Sequence, residues 1–134
     1  ATTNGKSDVN EMTNVNEVNS TGASAEFAYW RKFNALHGYF VRYYNVENCE
    51  ELTLTKEMVA DLKERVINIT SSEFSEDAER IAEKNLPIMV GPFFGSYDYD
   101  DFYYRNIYQL RDILTSLEVL IESNDLRFAY IASF

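Results

Sequence analysis

The amino-acid sequence predicts a mainly α-helical α+β domain, with about four helices and a small two-stranded sheet that includes the C-terminal strand. Apolar residues recur at three- and four-residue steps in four segments, which is the period of an amphipathic helix. Two short segments alternate between apolar and polar residues, as half-buried strands do. With 134 residues, of which 46% are hydrophobic, the chain suffices for one domain with its own core.

The first 23 residues are predicted to form a disordered N-terminal arm. They are rich in Asn, Thr and Ser, contain repeated Val-Asn pairs and show little periodicity. Such a segment buries too little apolar surface to offset the entropy that it would lose on ordering. Residues 24–134 are therefore predicted to form the single globular domain.

The first helix is predicted to begin after Ser24, a residue that suits an N-cap, and to end at about Asn45. Apolar residues lie at three- and four-residue steps along this segment and define one helical face. The face comprises Phe27, Trp30, Phe33, His37, Phe40 and Tyr44.

The middle of the chain predicts an edge strand and two further helices. Leu52–Leu54 alternates and reads as the strand, and Thr55 is predicted to cap the second helix. Ser75 is predicted to cap a shorter third helix. Pro87 ends that helix near Leu86, because the residue before proline avoids helical backbone angles. The buried stripe of the second helix is predicted to be Val59, Leu62, Val66 and Ile69.

The fourth helix has the most regular apolar stripe in the chain, and Asp98, Asp100 or Asp101 is predicted to cap it. Residues 126–134 then alternate and predict a terminal strand that pairs with Leu52–Leu54. The stripe of the fourth helix comprises Tyr103, Ile107, Leu110, Leu114, Leu117 and Ile121.

The charge is strongly acidic, with 22 Asp and Glu against 12 Lys and Arg and a net charge of −10. This balance argues against direct binding of nucleic acid, whose phosphates need Lys and Arg. It fits either simple solubility or imitation of nucleic-acid charge toward a basic groove on a partner. One Cys and one His predict neither an internal disulfide nor a zinc site. The lack of a basic-then-apolar leader or a membrane-length apolar run predicts an intracellular protein without a membrane span.

Four segments, taken in order, resemble a widespread family of small phage and prophage proteins. That family carries a YWRKxNxxHxxFV segment, a short acidic strand with a Cys, a GxFFGSxxYD stretch and an aromatic C-terminus. The segments here are YWRKFNALHGYFV (29–41), NCEELTLTKEMVADLKERV (48–66), NLPIMVGPFFGSYDYDDFYYRNI (85–107) and RFAYIASF (127–134).

The resemblance covers about 28–134 and contains departures. Leu36, Tyr39 and Pro92 stand where the family has Ile, Trp and a third residue of its aromatic turn. The family has no settled biochemical role and none of its segments is a catalytic signature. The resemblance therefore implies a phage accessory protein in the host bacterial cytoplasm, without implying a mechanism.

The first candidate site comprises Trp30, Arg31, Asn34 and His37, which lie within two turns of the predicted first helix. An exposed arginine beside an aromatic ring and an amide would suit an anion or a planar base. The alternative is that Arg31 pairs with acidic neighbours while His37 is a core histidine with satisfied hydrogen bonds.

The second candidate site is the turn that contains Gly91, Phe93, Phe94, Gly95 and Ser96. Glycine lets a backbone approach closely, and N–H groups at the following helix would suit an anion. The turn lacks the Lys of a phosphate loop. The alternative is a structural turn that inserts two Phe side chains into the core.

The third candidate site is an acidic aromatic cluster around Asp98, Tyr99 and Asp101. It would present negative charge to a basic partner, or hard oxygen ligands to a divalent cation. The remaining ligands of an EF-hand loop are missing, so no metal site is predicted. The alternative is helix capping and interaction with the helix dipole.

These observations predict a non-enzymatic, phage-encoded accessory protein that inhibits or sequesters a host factor, with counter-defence as one such role. Its partner would be a host protein with a basic, nucleic-acid-binding groove. His37 and Cys49 are the one nucleophile-and-base combination, and their spacing is not specific. No cofactor is predicted. Two alternatives stay open: a sponge for a nucleotide-like small molecule, and a minor virion or assembly protein. An enzyme that uses His37 is the remaining class. The sequence leaves the target and the oligomeric state undetermined.

Overall fold

The computed structural model describes residues 9–18, 24–89, 98–124 and 127–133. In these ranges it contains four helices and a four-stranded antiparallel sheet. The predicted α+β class is confirmed, but the sheet has four strands and not two. In chain order the elements are β1 (Val9–Val18), β2 (Ser24–Arg31), α1 (Asn34–Tyr44), β3 (Leu52–Leu54), α2 (Lys56–Ser71), α3 (Ala78–Asn85), α4 (Asp101–Asn124) and β4 (Phe128–Ser133).

The sheet has the strand order β2-β1-β4-β3, so the first and last strands of the chain are neighbours at its centre. β1 pairs with β2 on one side and with β4 on the other. The edge strand β3 pairs with β4, with Leu52 opposite Tyr130 and Leu54 opposite Phe128. The predicted pairing of Leu52–Leu54 with the C-terminal strand is therefore confirmed.

The predicted disorder of the N-terminal segment is wrong for residues 9–18, because these residues form the central strand β1. Met12 and Asn10 are both completely buried, and Asn14 is buried as well. The composition does not predict this strand, because an asparagine can be buried only when tertiary contacts satisfy its hydrogen bonds, and the sequence does not show those contacts. Residues 1–8 and 19–23 lie outside the described residues.

The predicted helix over residues 25–33 is also wrong, because Ser24–Arg31 is the edge strand β2. Ala28 and Trp30 are buried whereas Tyr29 and Arg31 are exposed, which is the alternation of a strand with one face on the core. Lys32 then takes a positive φ of 62° and turns the chain into α1. The three-residue spacing of Phe27, Trp30 and Phe33 imitates a helical face although these residues span a strand and a turn.

The predictions for the later helices are largely confirmed. The apolar stripe predicted for α2 is buried, and the stripe of α4 is buried from Tyr103 to Leu117. Thr55 caps α2 by accepting a hydrogen bond from the Met58 N–H at 3.2 Å. Among the three candidate caps of α4, the Asp100 carboxylate accepts the N–H of Tyr103 at 3.1 Å.

The third helix begins later than predicted. Asp77 occupies its N-cap position without a capping hydrogen bond, and Ser75 accepts the Asp77 N–H from the preceding turn. The core between sheet and helices is dense in aromatics, since the rings of Phe40 on α1 and Tyr130 on β4 stack with centroids 4.0 Å apart. None of the described helices combines the length and apolar character that crossing a membrane requires.

We expect Met12→Ala to lower the free energy of unfolding by about 2–5 kcal/mol, because it removes a fully buried side chain from the central strand. Chemical denaturation followed by circular dichroism measures this loss. A disordered arm would tolerate the change, so an unaltered free energy would contradict the position of β1.

Candidate functional site

Three of the four residues of the first candidate site lie in the interior. Trp30 is 3% exposed, Asn34 4% and His37 0%, whereas Arg31 is exposed. Arg31 ends β2 while Asn34 begins α1, so the two do not lie on one helix as predicted. The indole N–H of Trp30 has no hydrogen-bond partner among the described residues. These positions do not form an open pocket around Arg31.

A buried polar network explains why Asn10 and His37 occupy the core. The amide group of Asn10 on β1 accepts the Phe33 N–H at 3.2 Å and donates to the Phe33 carbonyl at 3.1 Å. The same amide nitrogen donates to the Tyr130 hydroxyl at 3.0 Å, and that hydroxyl lies 3.0 Å from Nδ1 of His37. The network joins β1, β4 and α1 and satisfies the backbone of the turn before the helix.

Burial lowers the pKa of His37 from its ordinary value of 6.5 to about 4. A neutral imidazole can accept the Tyr130 hydroxyl proton at Nδ1, which agrees with the 3.0 Å distance. Burial also raises the pKa of Tyr130, so both partners stay uncharged near neutral pH. His37 therefore lies in the core, with Nδ1 facing the Tyr130 hydroxyl.

The segment 86–89 is held between α1 and the start of α4. The Asn34 side-chain oxygen accepts the Met89 N–H at 3.2 Å. On the other side, the Tyr103 hydroxyl donates to the Leu86 carbonyl at 2.8 Å, and the Tyr99 hydroxyl accepts the Ile88 N–H at 3.3 Å. Asn34 and Tyr99 thus act as anchors for the chain that leads into the aromatic turn.

Gly38 lets this segment approach α1 closely. A Cβ at position 38 would lie 2.8 Å from Cβ of Met89, closer than two such carbons can come. The turn that follows, with Gly91, Phe93, Phe94, Gly95 and Ser96, lies outside the described residues. Its assignment as a ligand or partner site stays a prediction.

A small depression lies where the β2–α1 turn meets α4, but it is too shallow for a metabolite. Its enclosed volume is about 10 Å³, roughly the space for one water molecule. Its lining residues are Lys32, Phe33, Asn34, Ala35, Ile88, Phe102, Tyr103 and Asn106.

The third candidate site lies on a surface that combines carboxylates with tyrosine side chains. Asp98 and Asp101 are exposed beside Tyr99, which is half-buried. Carboxylates from α3 and the preceding turn adjoin tyrosines of α4, and the Tyr108 hydroxyl donates to Glu73 at 2.7 Å. We define the acidic aromatic face as Glu73, Glu79, Glu83, Asp98, Tyr99, Asp101, Tyr104 and Tyr108.

The nearby carboxylates help to raise the pKa values of the tyrosines of this face. Burial raises the pKa of Tyr104, and the charges of Glu73 and Glu79 raise it further. Burial also raises the pKa of Tyr99, where a backbone hydrogen bond opposes the rise and Glu83 and Glu79 add to it. For Tyr108, the hydrogen bond to Glu73 is the largest cause of a raised pKa. The face combines carboxylates with neutral phenol groups, and two cations adjoin it. The charge of Arg42 opposes the rise in the pKa of Tyr99, and Arg111, which lies 4.9 Å from the centre of the Tyr108 ring, opposes the rise in the pKa of Tyr108.

The sequence predicted Asp98, Tyr99 and Asp101 for this face but missed the carboxylates that complete it. Glu79 and Glu83 are four residues apart on α3 and both are exposed. That spacing was a usable signal, but only the packing of α3 against α2 brings them near Tyr99 and Tyr104. Phe74 was missed as well, although it is the one apolar residue in the run SSEFSED (71–77).

Within the described ranges, no three His, Cys, Asp or Glu side chains group in a way that could hold a metal ion. Comparison of the chain with protein-family models, with curated proteins and with solved structures finds no match. The geometry and the charge of this chain are therefore the structural basis for a proposal about its function.

The single histidine of the chain allows a direct test of the buried network. We expect the imidazole of His37 to titrate with a midpoint near 4, measured by NMR of the ring resonances across pH 3–8. The pKa of His37 is lower in the folded protein than in the unfolded chain, so its burial does not reduce the free energy of unfolding above about pH 6.5. As the pH drops toward 4, the free energy of unfolding falls by about 3 kcal/mol at most.

The same titration in denaturant supplies the control, since the unfolded chain should titrate near the ordinary value of 6.5. A midpoint near 6.5 in the folded protein would place His37 in contact with water and contradict the network.

Proposed function

We propose that the chain is a non-enzymatic, phage-encoded accessory protein that binds a host factor and inhibits or sequesters it. The acidic aromatic face carries the proposal. Five carboxylates and three tyrosines from two helices and the adjoining turns lie together there, in a chain whose net charge is −10. A partner with a basic, nucleic-acid-binding groove fits such a face by charge complementarity.

The tyrosines give the face an aromatic contact surface in addition to its negative charge. The ring centroids of Tyr99 and Tyr103 lie 4.9 Å apart and those of Tyr103 and Tyr104 lie 5.2 Å apart. Rings held in this way lose little conformational freedom on binding and bring a large apolar area with a polar tip. Tyrosine is enriched in protein interfaces for this reason. The face would thus combine electrostatic steering with aromatic contact.

The resemblance to small phage and prophage proteins supplies the biological setting of the proposal. An acidic protein made in an infected cell would compete with nucleic acid for a basic groove, and counter-defence is one use of such competition. The host bacterial cytoplasm is the corresponding location.

The two alternative functions have less support. A nucleotide sponge would use Trp30, Arg31, Asn34 and His37, of which Arg31 alone is exposed, and the adjoining depression holds about one water molecule. A virion protein that threads an N-terminal arm between subunits would have a shorter arm than the composition suggested, because residues 9–18 belong to the sheet.

The double variant Glu79→Gln/Glu83→Gln tests the proposal. We expect it to weaken binding of the host protein that the wild-type chain retains from lysate at about 50 mM NaCl, and the loss should shrink at about 500 mM NaCl. Two lost surface charge pairs predict an affinity lower by about two- to thirtyfold. Titration calorimetry with the purified partner measures this difference.

The matched control is Glu51→Gln/Glu64→Gln, which removes the same charge from exposed positions outside the face. Equal losses for both double variants would show an effect of net charge alone. Binding by the wild type that is indifferent to salt would count against the acidic face as the contact surface.

A further inference from the structure

Phe74 is an exposed aromatic side chain without a structural role in the fold. It is 93% exposed, in the turn between α2 and α3. The other large apolar side chains on the described surface are 39–55% exposed, so each of them packs at least partly against the protein. A phenyl ring in water brings an unfavourable free energy that folding leaves unrelieved. Contact with another molecule would relieve it.

The turn that displays Phe74 is hydrogen-bonded on both sides of the ring. The Ser72 hydroxyl donates to the Asn68 carbonyl at 2.9 Å, and the Ser75 hydroxyl donates to the Ser72 carbonyl at 2.9 Å. The Ser75 N–H donates to the Ser72 carbonyl as well, at 3.0 Å. On the α4 side, Tyr108 holds Glu73. The ring therefore projects from a preorganised corner, which lowers the entropic cost of using it in a contact.

The charged residues nearest to Phe74 in the chain are acidic, and the closest cation in sequence is Arg80. Glu73, Glu76, Asp77 and Glu79 surround it in sequence, and no Lys or Arg occurs between Val66 and Glu79. Asp77 forms an exposed ion pair with Arg80 at 3.2 Å, which leaves the other three carboxylates to set the local potential. An exposed aromatic side chain flanked in the chain by Glu73 and Glu76 suits an apolar pocket with a basic rim.

We propose that Phe74 is the hydrophobic anchor of the interface, inserting into an apolar pocket that is rimmed by Lys or Arg on the partner protein. This inference rests on the proposed function and names the contact that gives it affinity. The hydrogen bond between Tyr108 and Glu73 makes Phe74 continuous with the acidic aromatic face, so one partner would cover both. A second copy of the chain fits poorly, because two acidic corners would repel each other.

The experiment compares Phe74→Ala with the wild type, using the host protein retained from lysate at low salt and then purified. We expect Phe74→Ala to weaken the affinity by about 30-fold or more, the loss typical of an interface anchor. The fold-loss should be the same at about 50 mM and about 500 mM NaCl, because an apolar contact is not screened whereas the Glu79 and Glu83 contribution is. The midpoint of thermal unfolding should not change, since a side chain that is 93% exposed contributes little packing.

Tyr29→Ala on β2 is the matched control, because Tyr29 is also an exposed aromatic side chain, at 44%. It should leave the affinity unchanged. Photo-crosslinking from p-benzoylphenylalanine at position 74 should label partner peptides that contain Lys or Arg beside apolar residues.

The outcomes separate the two proposals. If Phe74→Ala binds like the wild type while Glu79→Gln/Glu83→Gln loses affinity, the anchor is wrong and the acidic binding protein stands. If the wild type forms dimers that Phe74→Ala disrupts, a second copy is the occupant and the anchor assignment to a partner is overturned. If the wild type retains no protein from lysate, both proposals fail.

Discussion

The fold depends on one buried amide, the side chain of Asn10. It binds both backbone groups of Phe33, at the point where β2 has ended and α1 begins, and it also donates to the Tyr130 hydroxyl. Without it, a buried N–H would lose its partner, which costs more than an ordinary hydrogen bond contributes. Because Asn10 lies on the central strand, the direction in which α1 leaves the sheet is set from the middle of the sheet.

The position of α1 in turn sets the position of the surface. Asn34 in its first turn binds the Met89 backbone, and Gly38 one turn later leaves room for Met89. Tyr103 and Tyr99 bind the same segment from the side of α4. Residues that the sequence offered as ligand contacts thus serve to fix the segment between α3 and α4. Asn34 thereby helps to position the acidic aromatic face, of which Tyr99 is itself a part.

The sequence predicted best where the structure is local. The long stripe of α4 and the caps at Thr55 and Asp100 follow from spacing and capping chemistry within one segment. The sequence did not predict β1, because the hydrogen-bond partners of its buried Asn10 lie 23 and 120 positions away in the chain. Asp98 and Asp101 could be proposed because they adjoin Tyr99 in the chain. Glu79 and Glu83 could not, because only the packing of α3 against α2 brings them near Tyr99.

The polar groups of the protein divide into buried ones, which stabilise the fold, and surface ones. Asn10, Asn34 and His37 are buried and are held by defined hydrogen bonds, so substitutions there would act on folding. Four carboxylates of the acidic aromatic face are exposed, whereas Glu73 is half-buried and accepts the Tyr108 hydroxyl. Phe74 is 93% exposed, so a polar residue at this position would remove little packing from the fold. A complementary molecule that covers an acidic face with an exposed aromatic ring would stabilise it, which is the physical reason why we propose binding on this side of the molecule.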